Sequence, residues 1–148
     1  MDRSEEGNKW DDPAQMFVGH ADGGSIYRGA GPDAPPVAKA AQASGRSATA
    51  TQGISTQWVA KQLYNDNPVI VFGATRDTGF ETWKTPSGKT VRMNKTSHVV
   101  VATGVKGEAN NPLGFWVNDS LYGASYWTVG QMQANIARDA YRQAVVVY

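Results

Sequence analysis

The chain contains no cysteine. Disulfides, thiolate nucleophiles and cysteine metal sites are excluded together, while the redox compartment stays open. Histidine is nearly as scarce: His20 and His98 are the only two, with no HExxH spacing around either. A histidine-built zinc site is therefore not expected, and no metal or other cofactor is implied. The Walker loop, the GxGxxG fingerprint and the GxSxG elbow are also absent. No apolar run approaches the roughly 18 residues that cross a bilayer, so no membrane span is expected. Fourteen Lys and Arg stand against 13 Asp and Glu, interspersed without a basic stripe. That balance argues against a nucleic-acid partner. The opening Met1-Asp2-Arg3-Ser4-Glu5-Glu6 is polar and acidic, unlike a secretory signal.

What is present amounts to one domain, because 148 residues suffice for a single buried core. The first third is rich in Gly, Pro, Asp and Ala. Residues 1–36 read as an extended arm with sparse apolar anchors at Trp10, Phe17, Val18, Ile26 and Tyr27. Loops of that length are uncommon inside a compact domain unless they serve a function or the domain is incomplete. Helices and a sheet are expected over 37–148.

Pro35-Pro36 leads into a short helix that ends at Gly45, with proline at its start and glycine at its stop. The Ala/Gln/Thr-rich stretch from Ala38 to Gln52 reads as a solvated helix and loop. Ser55 is a good N-cap for a second helix, and Ile54 before it can staple onto Val59. Trp58, Val59, Gln62 and Leu63 form its inward stripe. Val69-Ile70-Val71-Phe72-Gly73 is a continuous apolar run, as expected of a strand covered on both faces. Turn chemistry at Thr85-Pro86-Ser87-Gly88-Lys89, flanked by Trp83, Val91 and Met93, suggests an irregular hairpin. His98 to Gly104 and Gly114 to Asn118 are further strands, joined by a loop from Val105 to Leu113. Thr128 with Gln131 signals a capping box for a helix reaching about Ala137, and Gln143 to Tyr148 is a last strand. Helices first, then strands with one late helix, define an α+β fold with a mixed or antiparallel sheet packed by helices.

Chemistry concentrates at His98 and Asp119. One opens a strand and the other closes the next, so antiparallel neighbours would set imidazole and carboxylate side by side at one rim. A carboxylate on one ring nitrogen fixes the tautomer and steadies the imidazolium, the orienting role in a nucleophile–base–acid triad. Asn118 could do the same through its amide oxygen, but it falls on the opposite strand face. By spacing alone the pair is a weak signal, because a lone histidine at a strand edge is more often structural and an Asn-Asp-Ser run is very often just a turn. Tyr122 and Tyr126, in a Gly-rich loop expected after Asp119 to border the His98–Asp119 rim, are candidate cleft walls or ligand contacts, as is Trp83. The same aromatics are equally suited to packing.

The run Asn67-Pro68-Val69-Ile70-Val71, then Thr85-Pro86-Ser87-Gly88-Lys89, Ser97-His98-Val99-Val100-Val101 and Trp116-Val117-Asn118-Asp119 resembles a known family. It is the bacterial cysteine-peptidase-like family related to the double-glycine leader peptidases (peptidase C-39-like, papain-like fold). Upstream, Gly7-Asn8-Lys9-Trp10-Asp11-Asp12-Pro13-Ala14-Gln15-Met16-Phe17-Val18-Gly19 resembles a further segment of that family. The motifs are short and degenerate; their order and spacing over nearly the whole chain carry the likeness. The resemblance implies a general base at His98 and an orienting acid at Asp119. It also places the family's nucleophilic cysteine and oxyanion-stabilising glutamine upstream of the Trp10–Pro13 segment, where this chain has neither. Ser120 replaces the family's proline after Asp119.

The expectation is thus a single C-39-like domain, 1–148, without its nucleophile segment and inactive on its own. Alternatives are a pseudo-enzyme binding a peptide or cell-wall ligand, and a structural module that self-associates. The implied partners are a peptide or protein substrate or ligand, and a homo-oligomer or N-terminal complement closing on the arm. An extracellular or cell-envelope setting follows from the resemblance alone. Serine substitutes for the thiol (Ser25, Ser97, Ser120) lack any motif supplying a base and oxyanion donors.

Overall fold

A computed structural model of the protein describes residues 32–84 and 90–148. The Trp10–Gly19 motif, His20, Ser25 and the turn Thr85–Lys89 lie outside the described residues, as does the Trp83 side chain.

The first described helix, α1 (Ala34–Ala43), starts three residues earlier than expected and carries proline in its first turn. Pro35 and Pro36 give up only N–H groups that would have no intrahelical partner there. Its end follows from Gly45, whose φ of +86° admits the left-handed turn that sends its N–H to Gln42 and the Arg46 N–H to Ala41. Strand β1 (Ala48–Thr51) follows. It was expected to be solvated loop; instead it pairs with the last strand, and Ala48 packs beneath α1. Four alternating Ala and Thr residues carry too little apolar signal to announce a strand.

Helix α2 (Thr56–Tyr64) is capped as expected, with Ser55 Oγ accepting from the Trp58 N–H at 3.1 Å. Ile54 and Val59 share one core cluster, and the buried stripe is Thr56, Val59, Ala60 and Leu63. Ala60 is fully inside and Gln62 is not, because the stripe is one residue offset from the expected one.

Strand β2 (Val69–Ala74) precedes a hairpin of β3 (Phe80–Lys84) and β4 (Thr90–Asn94), which forms its own two-stranded sheet. Then come β5 (Ser97–Glu108), β6 (Asn111–Asp119), β7 (Gly123–Thr128), α3 (Val129–Ala137) and β8 (Ala144–Val147). The expected capping box is present: Thr128 Oγ1 accepts from the Gln131 N–H, and Gln131 Oε1 accepts from the Thr128 N–H.

Two expectations for this half are corrected. Val105 to Leu113 is not a loop, for β5 and β6 run on and turn at Ala109-Asn110, with Glu108 opposite Asn111. Gly107, at φ +90°, takes up an irregularity in the pairing that no L-side chain accommodates easily. The Gly-rich stretch after Asp119 is not a loop either: it becomes edge strand β7, fully registered with β6.

The main sheet has the order β1-β8-β2-β5-β6-β7, antiparallel at every junction. With its helices it is the expected α+β architecture of the papain-like class. One face carries α2 and α3 over Val69, Val71, Val100, Ala102, Phe115, Val117 and Ala144. The other carries α1 over Ala48, Phe72 and Val145, with Ala50, Ile70 and Val147 beside them. β2 is thus covered on both sides, as its apolar run implied. Toward β6 and β7 no described helix covers that second face, and Trp116 and Tyr126 stand there 48% and 43% exposed.

Gln143 fastens α1 to the rest. Its side chain is buried, donates to Asp33 Oδ1 at 3.0 Å and accepts the Ala34 N–H at 3.1 Å. Its backbone N–H reaches Asp139 Oδ2 at 2.7 Å. Burial pushes the Asp139 carboxyl above its ordinary value, and the charge of Asp33 adds to the rise against the hydrogen bonds it accepts.

Two outcomes follow. Phe115, fully buried in the core under α2 and α3, is expected to cost about 3–5 kcal/mol when cut to alanine, measured by denaturant unfolding. Asp139→Asn retains an acceptor for Gln143 and removes a poorly solvated charge, so it should raise the melting temperature at neutral pH. The gain should vanish as pH falls below the unfolded carboxyl value of 3.8, where both states of the parent are protonated.

Candidate functional site

Strand periodicity places the two expected residues. Along β6, Phe115, Val117 and Asp119 are buried while Trp116 and Asn118 are exposed. The Asp119 carboxylate therefore emerges on the helix-covered face, at the end of the strand. On β5, Val100 and Ala102 mark that same face, and His98 shares their parity. Pairing of Val101 with Asn118 brings the start of β5 beside the end of β6. The bulge between Ala102 and Gly104 lies beyond the pair and leaves this rim in register.

His98 Nε2–H donates to Asp119 Oδ1 at 2.8 Å. The side chains are 14% and 5% exposed. Oδ1 also accepts from the backbone N–H of Leu121 at 2.7 Å and of Tyr122 at 3.3 Å. An Asp that caps its own turn in this way needs no distant partner to be oriented. Burial acts to raise the Asp119 pKa, but the Leu121 N–H, the hydrogen bond and charge interaction with His98, and the Tyr122 N–H outweigh it. The carboxyl sits below its ordinary value. With Nε2–H held, neutral His98 carries its lone pair on Nδ1, the nitrogen able to accept a proton.

The other expected residues are not gathered at this pair. Asn118 is exposed on the opposite face. Tyr122 contributes its backbone to Asp119, and its ring, 74% exposed, stands out from the turn. Tyr126 lies across the sheet from the dyad. It meets the Trp116 ring edge-on at 5.5 Å and covers Gly114, where an added Cβ would strike its ring. Trp83 occupies β3 opposite Val91. Of the serines, Ser97 gives its hydroxyl to Asn94 O at 2.7 Å and Ser120 is exposed in the turn.

Sequence reasoning missed two residues of α3. Gly73 is paired with His98 across β2 and β5, and an added Cβ at Gly73 would fall 2.2–2.4 Å from the amide of Asn135. The amide of Asn135 thus occupies the space of Gly73's absent side chain, beside His98 and away from Asp119. Asn135 is 5% exposed, and its Nδ2 has no hydrogen-bond partner among the described residues. A buried amide left unmatched costs about 1–3 kcal/mol. Arg138, at the C-cap, donates from Nη1 to Ala74 O at 3.2 Å. The only sequence signal was Gly73 itself, since glycine ending an apolar strand marks a close approach.

A separate cleft of about 270 Å³ lies between the start of α2 and α3, lined by Ser55, Gln57, Val129, Gln133 and Arg142 among others. It includes neither His98 nor Asp119. Among the described residues no group of three or more His, Cys, Asp or Glu is placed to hold a metal, and no helix is long and apolar enough to cross a membrane.

The architecture and the rim place the chain in a structural class, the papain-like fold in its C-39-like form. The crystal structure of a Bacillus anthracis protein described as a C-39-like peptidase superposes with a TM-score of 0.68 over 93% of this chain and 68% of that one, at 20% identity. That likeness is one of fold. No protein-family model and no curated protein matches the sequence.

Replacing Asp119 with alanine leaves the Leu121 and Tyr122 N–H groups and the His98 ring without their acceptor. A loss of about 1–3 kcal/mol in unfolding free energy is expected. The parent's margin over Asp119→Asn should be full above the unfolded carboxyl value of 3.8 and disappear as pH falls through the lower folded value. Urea unfolding across that pH range tests both statements.

Proposed function

We propose that this chain presents the base-and-acid half of a cysteine-peptidase-like site, with His98 as base and Asp119 as orienting acid, and hydrolyses no peptide on its own. The observation that carries the reading is the 2.8 Å bond from His98 Nε2–H to Asp119 Oδ1. It leaves Nδ1 as the nitrogen that would take a proton from a nucleophile. The C-39-like fold supports it. The chain has no thiol of its own to activate. Among the described residues, Ser97, next to His98 in sequence, gives its hydroxyl to a backbone carbonyl. The narrower tie to double-glycine leader peptidases, a bacterial source and an extracellular or envelope setting rest on the sequence motifs alone.

Two other readings have an observation each. The exposed Tyr122 ring beside Asp119 suits a site that binds a peptide or wall ligand without cleaving it. The open Trp116–Tyr126 face suits self-association, because exposed aromatic patches of this kind tend to acquire partners.

Incubation of the chain with a fluorogenic peptide mixture should give no turnover, with or without a thiol-alkylating reagent. Turnover abolished by His98→Ala would overturn the inactive reading. Nitrogen-15 spectra of the ring should show the Nε2-protonated tautomer, shifting toward a mixture in Asp119→Ala. A predominantly Nδ1-protonated ring in the parent would remove the base-and-acid assignment.

A further inference from the structure

We propose that Asn135 and Arg138 form a carboxylate site on the flank of His98 away from Asp119, and that its ligand is the C-terminal carboxylate of a peptide. The peptide part rests on the site reading above; the carboxylate part rests on α3.

The order across the rim is set by the sheet. Asp119 lies on β6, His98 on β5, and Gly73 on β2 with the Asn135 amide over it. Cβ positions of directly paired strand residues are about 4.5–5.5 Å apart, so the amide, at the place of a Gly73 Cβ, lies beside the base of the His98 side chain. Asp119 is on the strand to one side of His98 and the amide over the strand to the other. The Asn135 Nδ2 is buried and gives its hydrogens to no acceptor among the described residues. A buried donor of this kind is rare in folded proteins and calls for a specific explanation.

Arg138 lies three residues further along α3 and reaches the same end of β2, through Ala74 O. A guanidinium has five N–H donors, and this one uses Nη1 in a single hydrogen bond and makes no ion pair among the described residues. The neighbouring Asp139 does not neutralise it, for that carboxylate is turned to the Gln143 N–H. One spare amide donor and a fixed positive charge, with no anion beside them among the described residues, match a planar carboxylate better than a neutral carbonyl. Placed there, a peptide's terminal carboxylate would lie against the ring on the side that Asp119 leaves open.

The test is nitrogen-15 NMR titration of the full chain with a short acetylated peptide as the free acid, its C-terminal amide, and an amidated peptide with one internal glutamate. The free acid should bind at least about tenfold more tightly than its amide, shifting the Asn135 side-chain and His98 ring signals. Arg138→Gln should abolish that preference without moving the melting temperature appreciably. Asn135→Asp, which puts a charge of the wrong sign in the same space, should do the same if Asn135→Ala proves unstable. Equal binding of acid and amide, or a preference that survives both variants, would overturn the carboxylate site. Preferential binding of the glutamate peptide would overturn the terminal-carboxylate assignment. If no peptide binds, acetate separates the two readings. Arg138-dependent shifts of Asn135 would keep the carboxylate site and remove the peptide reading, and their absence would remove the site as well.

Discussion

One carboxylate oxygen holds the rim together. Oδ1 of Asp119 receives the His98 ring, the Leu121 N–H and the Tyr122 N–H. The end of β6, the turn into β7 and the start of β5 are thereby tied to a single acceptor. It remains ionised despite its burial because those three donors offset the desolvation. The imidazole is oriented by a group that is itself oriented by its own backbone. A charged acceptor with fixed donors keeps its geometry without help from water, which is the condition for holding a histidine in one tautomer.

That rim depends in turn on which face of the sheet is dry. Phe115, Val117 and Val100 are pinned under α2 and α3, so register cannot slip by one residue without turning the entire core outward. The same pleat that buries Phe115 and Val117 carries Asp119 to the helix side, and the one that buries Val100 carries His98 there. Core packing and site geometry are thus one constraint. It also explains the other face: residues of opposite parity, Trp116, Asn118 and Tyr126, are driven to the side where, among the described helices, α1 covers the β1–β8–β2 region and not β6 or β7.

Much of this was legible in the residues. The caps at Ser55, Thr128 and Gly45 are local chemistry and appear where expected. The apolar run from Val69 marked a doubly covered strand, and the His98–Asp119 rim followed from strand order. Less legible were β1, β7 and the outer halves of β5 and β6. Their residues are small, glycine-bearing or exposed, and they are strands because a neighbour offers a ladder of hydrogen bonds, not because of their own periodicity. Tyr126 was placed beside the dyad on the premise of a loop. As a strand residue paired with Trp116 it lies across the sheet. The segment holding the Trp10–Gly19 motif is outside the described residues.

Taken alone, the sequence determined the α+β class, the helix caps at Ser55 and Thr128, the lack of a thiol and the parity that separates His98 and Asp119 from Asn118. These depend on side-chain type and on spacing along one strand or helix. Only the tertiary structure decided that the histidine and carboxylate bond to each other at hydrogen-bonding distance, and that α3 lays Asn135 over Gly73 and brings Arg138 to Ala74. Those contacts join segments 21 to 64 residues apart. Chain distance of that size carries no local periodicity, so the packing of α3 on the sheet sets them.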